Sequence, residues 1–372
     1  MVSVRTTHPD GGAVPLGRFG LQEIDALRLL LRGGSVVDWF RLHFVNKDEI
    51  RAFLRVNELD PDASSDQARL ADLHARAIEY LAEHLKYRVP ETIREADVIE
   101  LFELASGKGR RTYRLHACLT LKVMHILHHV EAHELLSMLP ISHAEVGVLL
   151  HAKVERVVRG LLERRFPIVD FAGSTKSFYS TVSKLLAKKD TQAAQVFDRQ
   201  RFRIVVERLE DIPPLLVALM RELIPFNYVV PSQSENTLVN ADDMMIRSGN
   251  LAAIRADRDP SALNESEPVE RRAGPRNEFS GRGFRIVNFV AQVPIRVDRV
   301  VPFQSTRLMG LGPIVFGTLE LQVVDRATTL KNETGENRHT LYKRRQLARV
   351  RERLERGKRK KSEKRAEAPE KS

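Results

Sequence analysis

Apolar residues recur at helical spacing through the first half of the chain. Leu21, Ile24, Leu27, Leu30 and Leu31 mark one amphipathic helix that Gly33-Gly34 should stop, and Ile50, Phe53 and Leu54 mark another. The same period predicts helices over 65–86, 91–106, 115–138 and 143–164, punctuated by Pro61, the Gly107-Lys108-Gly109 turn and Pro140. Beyond about residue 165 the pattern changes. A short helical segment after Gly173 carries Lys176 and Lys184, and an apolar strand with interleaved arginines then runs to Val206. Pro213-Pro214 open a helix with Leu215, Leu216, Leu219 and Leu223, and a short strand is expected over 226–230, ending at Pro231. From Gly283, GFRIVNFVAQVPIRV reads as strand, with Phe284, Ile286 and Asn288 on one face and Val287 and Phe289 on the other. TLELQVVD alternates more cleanly: Leu319, Leu321 and Val323 against Glu320, Gln322 and Val324. From Asn332 a helix is expected to run into a lysine- and arginine-rich end.

These patterns divide the chain into a loose leader (1–17), an α-helical domain (18–165), a second domain (166–345) and a basic, disordered tail (346–372). The fold class expected is α+β, the second domain holding a mixed sheet flanked by helices. Residues 232–280, rich in Ser, Asn, Asp, Arg, Glu and Pro, read as a mobile insertion within it.

The 372 residues, 42% of them hydrophobic, can bury a core in each domain. The formal net charge of +11 belongs mainly to residues 344–372, where thirteen Lys/Arg stand against five Asp/Glu. Such a run is ordinarily solvated, although it can also hold RNA phosphates without reading sequence. Cys118 is the only cysteine, which excludes an internal disulfide framework and fits a reducing cytoplasm. No signal-peptide core and no apolar run of membrane-spanning length is present, so no membrane partner is expected.

Three groups of residues bear on chemistry. His125, His128, His129 and His133 place imidazoles on one helix face as a metal site would, but HExxH and His-Asp pairings are missing and Val123, Ile126, Leu127 and Val130 account for a buried face; the group is read as packing. Lys176, Lys184 and Asp198 combine cations for a polyphosphate with a carboxylate for Mg²⁺. Glu320 and Gln322 share the polar face of their strand, as a solvated edge or as a site.

Taken together, these residues resemble the synthetase domain of the RelA/SpoT family, which makes the guanosine alarmones (p)ppGpp. Its first motif is similar to Gly173, Ser174, Lys176, Ser177, Tyr179, Ser180 and Lys184; its Asp-and-Arg strand to Asp198 and Arg203; its Glu-x-Gln strand to Glu320 and Gln322; its closing motif to Glu333, Gly335, His339, Tyr342 and Lys343. Gly283 and Phe284 align with the loop whose aromatic ring stacks on guanine. The likeness covers 170–345; the helical domain lacks the His-Asp pair of the family's hydrolase, and no alarmone hydrolysis is expected.

The resemblance implies Mg²⁺-dependent transfer of pyrophosphate from ATP to the 3′-hydroxyl of GDP or GTP. Asp198 and Glu320 would be the catalytic and metal-binding carboxylates. Lys176, Ser177, Lys184, Arg203, Gly283, Phe284, Gln322 and His339 would hold the nucleotides. The pattern departs at Ser174, Val324 and Asp325, where the family has two arginines and a threonine, and at Asn288, where it has histidine; Arg199, Arg201 or Arg282 are candidate replacements for the lost cations. Two alternatives stand beside the synthetase: a tRNA 3′-end pyrophosphokinase that uses the basic tail, and a catalytically degenerate nucleotide-binding regulator. A homo-oligomer is compatible with any of the three.

Overall fold

The computed structural model describes residues 19–32, 42–175, 177–187, 200–230, 233–239, 283–300, 310–334 and 343–355. Seven described helices precede the first strand: α1 (Leu21–Arg32), α2 (Lys47–Val56), α3 (Ser64–Glu83), α4 (Glu91–Glu95), α5 (Val98–Ala105), α6 (Arg111–Met138) and α7 (His143–Glu163). Local chemistry starts several of them. Asn46 accepts from the Glu49 N–H to cap α2, and Ser142 with Glu145 forms a reciprocal capping box on α7. The helix expected over 91–106 is two helices, because Ala96 is extended and Asp97 with Glu100 builds a second capping box that begins α5.

The second half supplies β1 (Ile168–Thr175), α8 (Phe178–Ala187), β2 (Gln200–Val206), α9 (Ile212–Glu222), β3 (Glu235–Asn236), β4 (Val287–Arg296), β5 (Ile314–Asp325), α10 (Arg326–Asn332) and α11 (343–355). The sheet order is β1-β2-β5-β4-β3; only β2 and β5 pair in parallel, so the sheet is mixed as expected.

Four sequence expectations need correction. Residues 168–175, given no strand, form β1. Phe226–Tyr228, expected as strand, make a 3₁₀ turn after Pro225, and only Val229 bridges to Ala291 of β4. Within the stretch read as insertion, Glu235 and Asn236 pair with Asn288 and Val287. Asn332 ends a helix rather than beginning one, since Asp325 terminates β5 and caps α10 by accepting from the Thr328 N–H.

One hydrophobic cluster runs through both halves. It joins Leu27, Leu73, Leu101 and Leu135 of the helices to Phe202, Ile204, Phe289, Leu319 and Leu321 of the sheet. The change from helix to strand near residue 165 is therefore not a break in the core. Two layers of helix clasp the sheet. On the face that carries Leu319 and Leu321, α7 packs closely: a side chain at Gly317 would strike Ile295 of β4 and press on Leu150 of α7. On the opposite face α6 reaches Phe316 through the rings of His128 and His129, and Ala132, Tyr228 and Phe316 form a small separate cluster.

That second contact overturns the packing expected for α6. Val130 is 58% exposed, whereas His125 and His128 are buried. The imidazoles face the sheet because Tyr228 and Phe316 offer rings to pack on; His125 lies 4.5 Å from Tyr228, centroid to centroid, and takes a hydrogen bond at Nδ1 from the Asn227 amide. Among the described residues neither ring nitrogen of His128 has a hydrogen-bond partner, nor has His125 Nε2. Beside them is a cavity of about 60 Å³, lined largely by apolar residues such as Phe53, Leu73, Phe102 and Met124. Burial above all, with the neighbouring imidazoles adding to it at both and Arg69 at His128, pushes both imidazoles down to about 3.

A buried ion pair ties the helical half to β4. Arg296 donates from Nη1 and Nη2 to Asp66 of α3 at 2.7 and 3.0 Å. Burial alone would raise the Asp66 pKa, but hydrogen bonds from Arg296 and the Asp60 N–H outweigh it and hold the carboxyl below its ordinary range.

Two predictions follow from these charges. A carboxyl with a lowered folded pKa contributes stability above its unfolded pKa and loses it as pH falls through the folded value. Asp66→Asn should cost about 3–5 kcal/mol at pH 7, as expected for half of a buried pair, with a smaller cost at pH 3 in urea unfolding. His128 acts in the same direction in a higher pH window: below about pH 6.5 the unfolded chain takes up the proton first, so acid destabilises the fold by up to about 1.4 kcal/mol per pH unit. His128→Leu, close in volume, should raise the melting temperature and flatten that slope between pH 6 and 4.

Candidate active site

Strand register assembles a polar patch on the α6 side of the sheet. Arg201 and Arg203 of β2 lie directly opposite Glu320 and Gln322 of β5. On the outer flank β1 sets Ser174 beside Arg201 and Ala172 beside Arg203. On the inner flank β4 sets Asn288 beside Gln322, Val290 beside Glu320 and Gln292 beside Thr318. Period-two alternation sends all these side chains to one face while Phe202, Leu319 and Leu321 enter the core on the other.

Glu320 is the centre of the patch. Its side chain is 8% exposed and receives Arg201 Nε at 2.9 Å and Nη2 at 2.8 Å, both on Oε2, while Gln322 Nε2 donates to Oε1 at 3.1 Å. A carboxylate held from both sides is fixed in direction, and the two arginines leave the patch net positive. Asn288 Oδ1, beside Gln322, is buried without a hydrogen-bond partner among the described residues.

The structure brings some candidate residues together. Glu320, Gln322 and Arg203 share the patch, and Arg201 joins them; the i, i+2 spacing of the two arginines on an apolar strand is the signal that marks Arg201 as a partner. Ser177 sits at the start of α8, where its Oγ accepts from the Ser180 N–H at 3.4 Å and its carbonyl from the Thr181 N–H. Lys184 lies within α8. Tyr179, on the same helix, is 80% exposed. Gly283 is exposed in a turn and Phe284 is half-buried, just ahead of β4. This turn is latched to α10: Asn332 accepts from the Arg285 N–H at 3.1 Å and donates to the Arg285 carbonyl at 2.7 Å. Asp198, Lys176 and His339 lie outside the described residues.

Positions that depart from the resemblance have structural work of their own. Val324 continues the Glu320–Gln322 face but is a fully buried apolar side chain, and Asp325 caps α10, so neither position offers a cation. Gly173 is required by packing, since a side chain there would collide with His151 of α7 and with Phe202. Arg201 stands directly beside Ser174. Among the described residues no three His, Cys, Asp or Glu side chains are grouped to hold a metal ion, and no described helix is long and apolar enough to cross a membrane.

Neither a protein-family model nor a curated protein matches this sequence. The chain is similar to solved alarmone synthetase structures. One is the small alarmone synthetase 2 from Bacillus subtilis, at 16% identity and a TM-score of 0.28 over 62% of this chain and 97% of that one. Another is the small alarmone synthetase 1 from the same organism bound to its product pppGpp, at 14% and 0.27 over 57% and 91%. A GTP pyrophosphokinase family protein from Streptococcus pneumoniae matches at 11% and 0.30 over 59% and 88%. Likeness at this level assigns no activity, and the chemistry rests on the residues of the patch.

The Arg201–Glu320 pair should show in a double-mutant cycle. Arg201→Ala strands a mostly buried carboxylate and should cost about 2 kcal/mol, below the full buried-pair figure because Arg201 is partly exposed. Adding Glu320→Gln should recover about half of that loss in denaturant unfolding; strict additivity of the two changes would contradict the coupling.

Proposed function

We propose that this chain transfers pyrophosphate from ATP to the 3′-hydroxyl of a guanosine nucleotide. What supports the reading is the oriented Glu320 carboxylate between Gln322 and Arg201, with Arg203 alongside, at the head of the parallel β2–β5 pair. In the transfer, the acceptor oxygen forms a bond to the β-phosphorus, the bond from that phosphorus to the α–β bridging oxygen breaks, and AMP leaves. The hydroxyl proton needs an acceptor, and Glu320 is the carboxylate for it, aimed by Gln322. Arg201 and Arg203, with Lys176 and Lys184, offset the phosphate charge, and Phe284 offers a π face to guanine.

Mg²⁺ would be held by Glu320 together with Asp198. The donor type fits, since a hard dication takes carboxylate oxygens, and Arg201 would have to yield part of its hold on Glu320. When bound, the ion neutralises phosphate charge. The cytoplasm and nucleotide partners belong to the same reading.

A second reading has its own observation. Val324 and Asp325 are committed to packing and capping, and Arg201 already engages Glu320, as suits a protein that binds a nucleotide without turning it over.

The test is incubation of the purified chain with Mg²⁺ and ATP labelled in its γ-phosphate, with GDP, GTP or bulk tRNA in separate tubes. Label is expected on GDP or GTP and should fall at least about a hundredfold in Asp198→Asn and in Glu320→Gln. Label on tRNA alone would move the acceptor to RNA. Nucleotide binding without label in any tube would establish the binding protein instead.

A further inference from the structure

The helix that carries the first phosphate motif has little of its own to stand on. α8 is ten residues long, below the roughly 12–15 at which an isolated helix holds in water, so its order depends on what packs against it. No described side chain of α8 belongs to the main hydrophobic cluster. Thr181 is buried but directs its hydroxyl back to the Ser177 carbonyl of the same helix. The sheet fixes the N-terminal end, since β1 runs to Thr175 just ahead of it. At the C-terminal end the support comes from α11. Ala187 and Val350 bury each other in a cluster separate from the main core, and Arg353 Nη1 donates to the Leu186 carbonyl at 2.6 Å.

Both contacts suit the end of a helix. The last carbonyls of a helix have no partner within it and carry the negative end of its dipole, so a guanidinium there supplies a hydrogen bond and a favourable charge together. The sequence of α11 is built to deliver them from one side. Leu347, Val350 and Leu354 recur at steps of three and four in a helix otherwise dominated by arginine, and Arg353 stands three residues after Val350 on the same face.

We propose that α11 is the brace that holds α8 in place for nucleotide binding, with Val350 and Arg353 as positioning residues. The inference rests on the reading above, in which Ser177 and Lys184 hold phosphate; both belong to the α8 segment, and Lys184 stands two positions before the carbonyl that Arg353 engages. A helix already in place binds at full strength, whereas one that must be ordered on binding subtracts that cost from the affinity. The effect falls on one substrate. α8 leaves the β1 edge of the sheet, while Phe284 leads into β4 on the other side of the β2–β5 pair, so the brace serves ATP and leaves the guanine side alone.

The experiment measures hydrogen exchange of the α8 amides and the KM values for ATP and GTP in the full chain and its variants. Arg353→Ala should speed α8 exchange at least about tenfold and raise KM for ATP at least about fivefold, with kcat and KM for GTP close to unchanged. Arg353→Lys, which keeps a charged donor, should recover part of both effects. Val350→Asp combined with Arg353→Ala should strip α8 of protection while β5 exchanges as in the intact chain. Arg351→Ala, at an exposed position of the same helix, should change neither quantity. Undiminished protection of α8 in the double variant would overturn the proposal, and so would faster exchange with unchanged ATP affinity. Where the intact chain binds ATP without turnover, calorimetric affinity takes the place of KM. An intact chain that binds no nucleotide would count against the proposed function, and the exchange comparison would still decide whether α11 holds α8.

Discussion

Arg201 and Glu320 lie 119 residues apart in sequence, yet register makes them direct neighbours. The polar patch hangs on that parallel pairing. A one-residue slip of β5 against β2 would turn Glu320 and Gln322 toward the apolar layer and push Leu319 and Leu321 into the patch. The register is secured from the other side, where Phe202, Leu319 and Leu321 are fully buried against helices. The site is thus held in place by residues that never touch it. Pairings of such sequence separation are also slow to form, since the loop must close before the contact is made.

The helical half belongs to this arrangement and is not an appendage. α7 presses on one face, with His151 against the bare backbone of Gly173, and α6 covers part of the other through its histidines. Asp66 and Arg296 join the two halves through a buried charge pair that neither half could satisfy alone. Helix and sheet therefore unfold together, and a perturbation in α3 or α6 reaches the strands through packing and charge. The glycine that heads the phosphate-binding motif in the resemblance is, in this chain, also the point where a helix rests on the sheet.

Much of this was legible in the sequence, and the parts that were not have physical reasons. The long helices were readable because apolar period and capping chemistry agree, as at Ser142 and Glu145. The faces of β5 were readable because strict alternation leaves little choice. β1 was not, because its Gly, Ser and Thr residues sit on an exposed edge where hydrophobic pattern is weak. The inward side of α6 was misread because imidazoles count as polar in any pattern, whereas here aromatic neighbours make them core. The Glu-x-Gln strand was identified as a candidate and Arg201 as a candidate replacement cation, but that Arg201 grips Glu320 is seen only when β2 is laid beside β5. Asp198, Lys176 and His339 remain expectations from the motif.

The Asn332 latch on the Arg285 backbone ties α10 to the turn ahead of β4. One side-chain amide imitates the paired hydrogen bonds of a β-bridge, giving and taking at a single residue. It closes the C-terminal end of the short α10 helix onto the turn that carries Phe284, so that a seven-residue helix ending 47 positions beyond Arg285 sets the backbone of that turn as a neighbouring strand would.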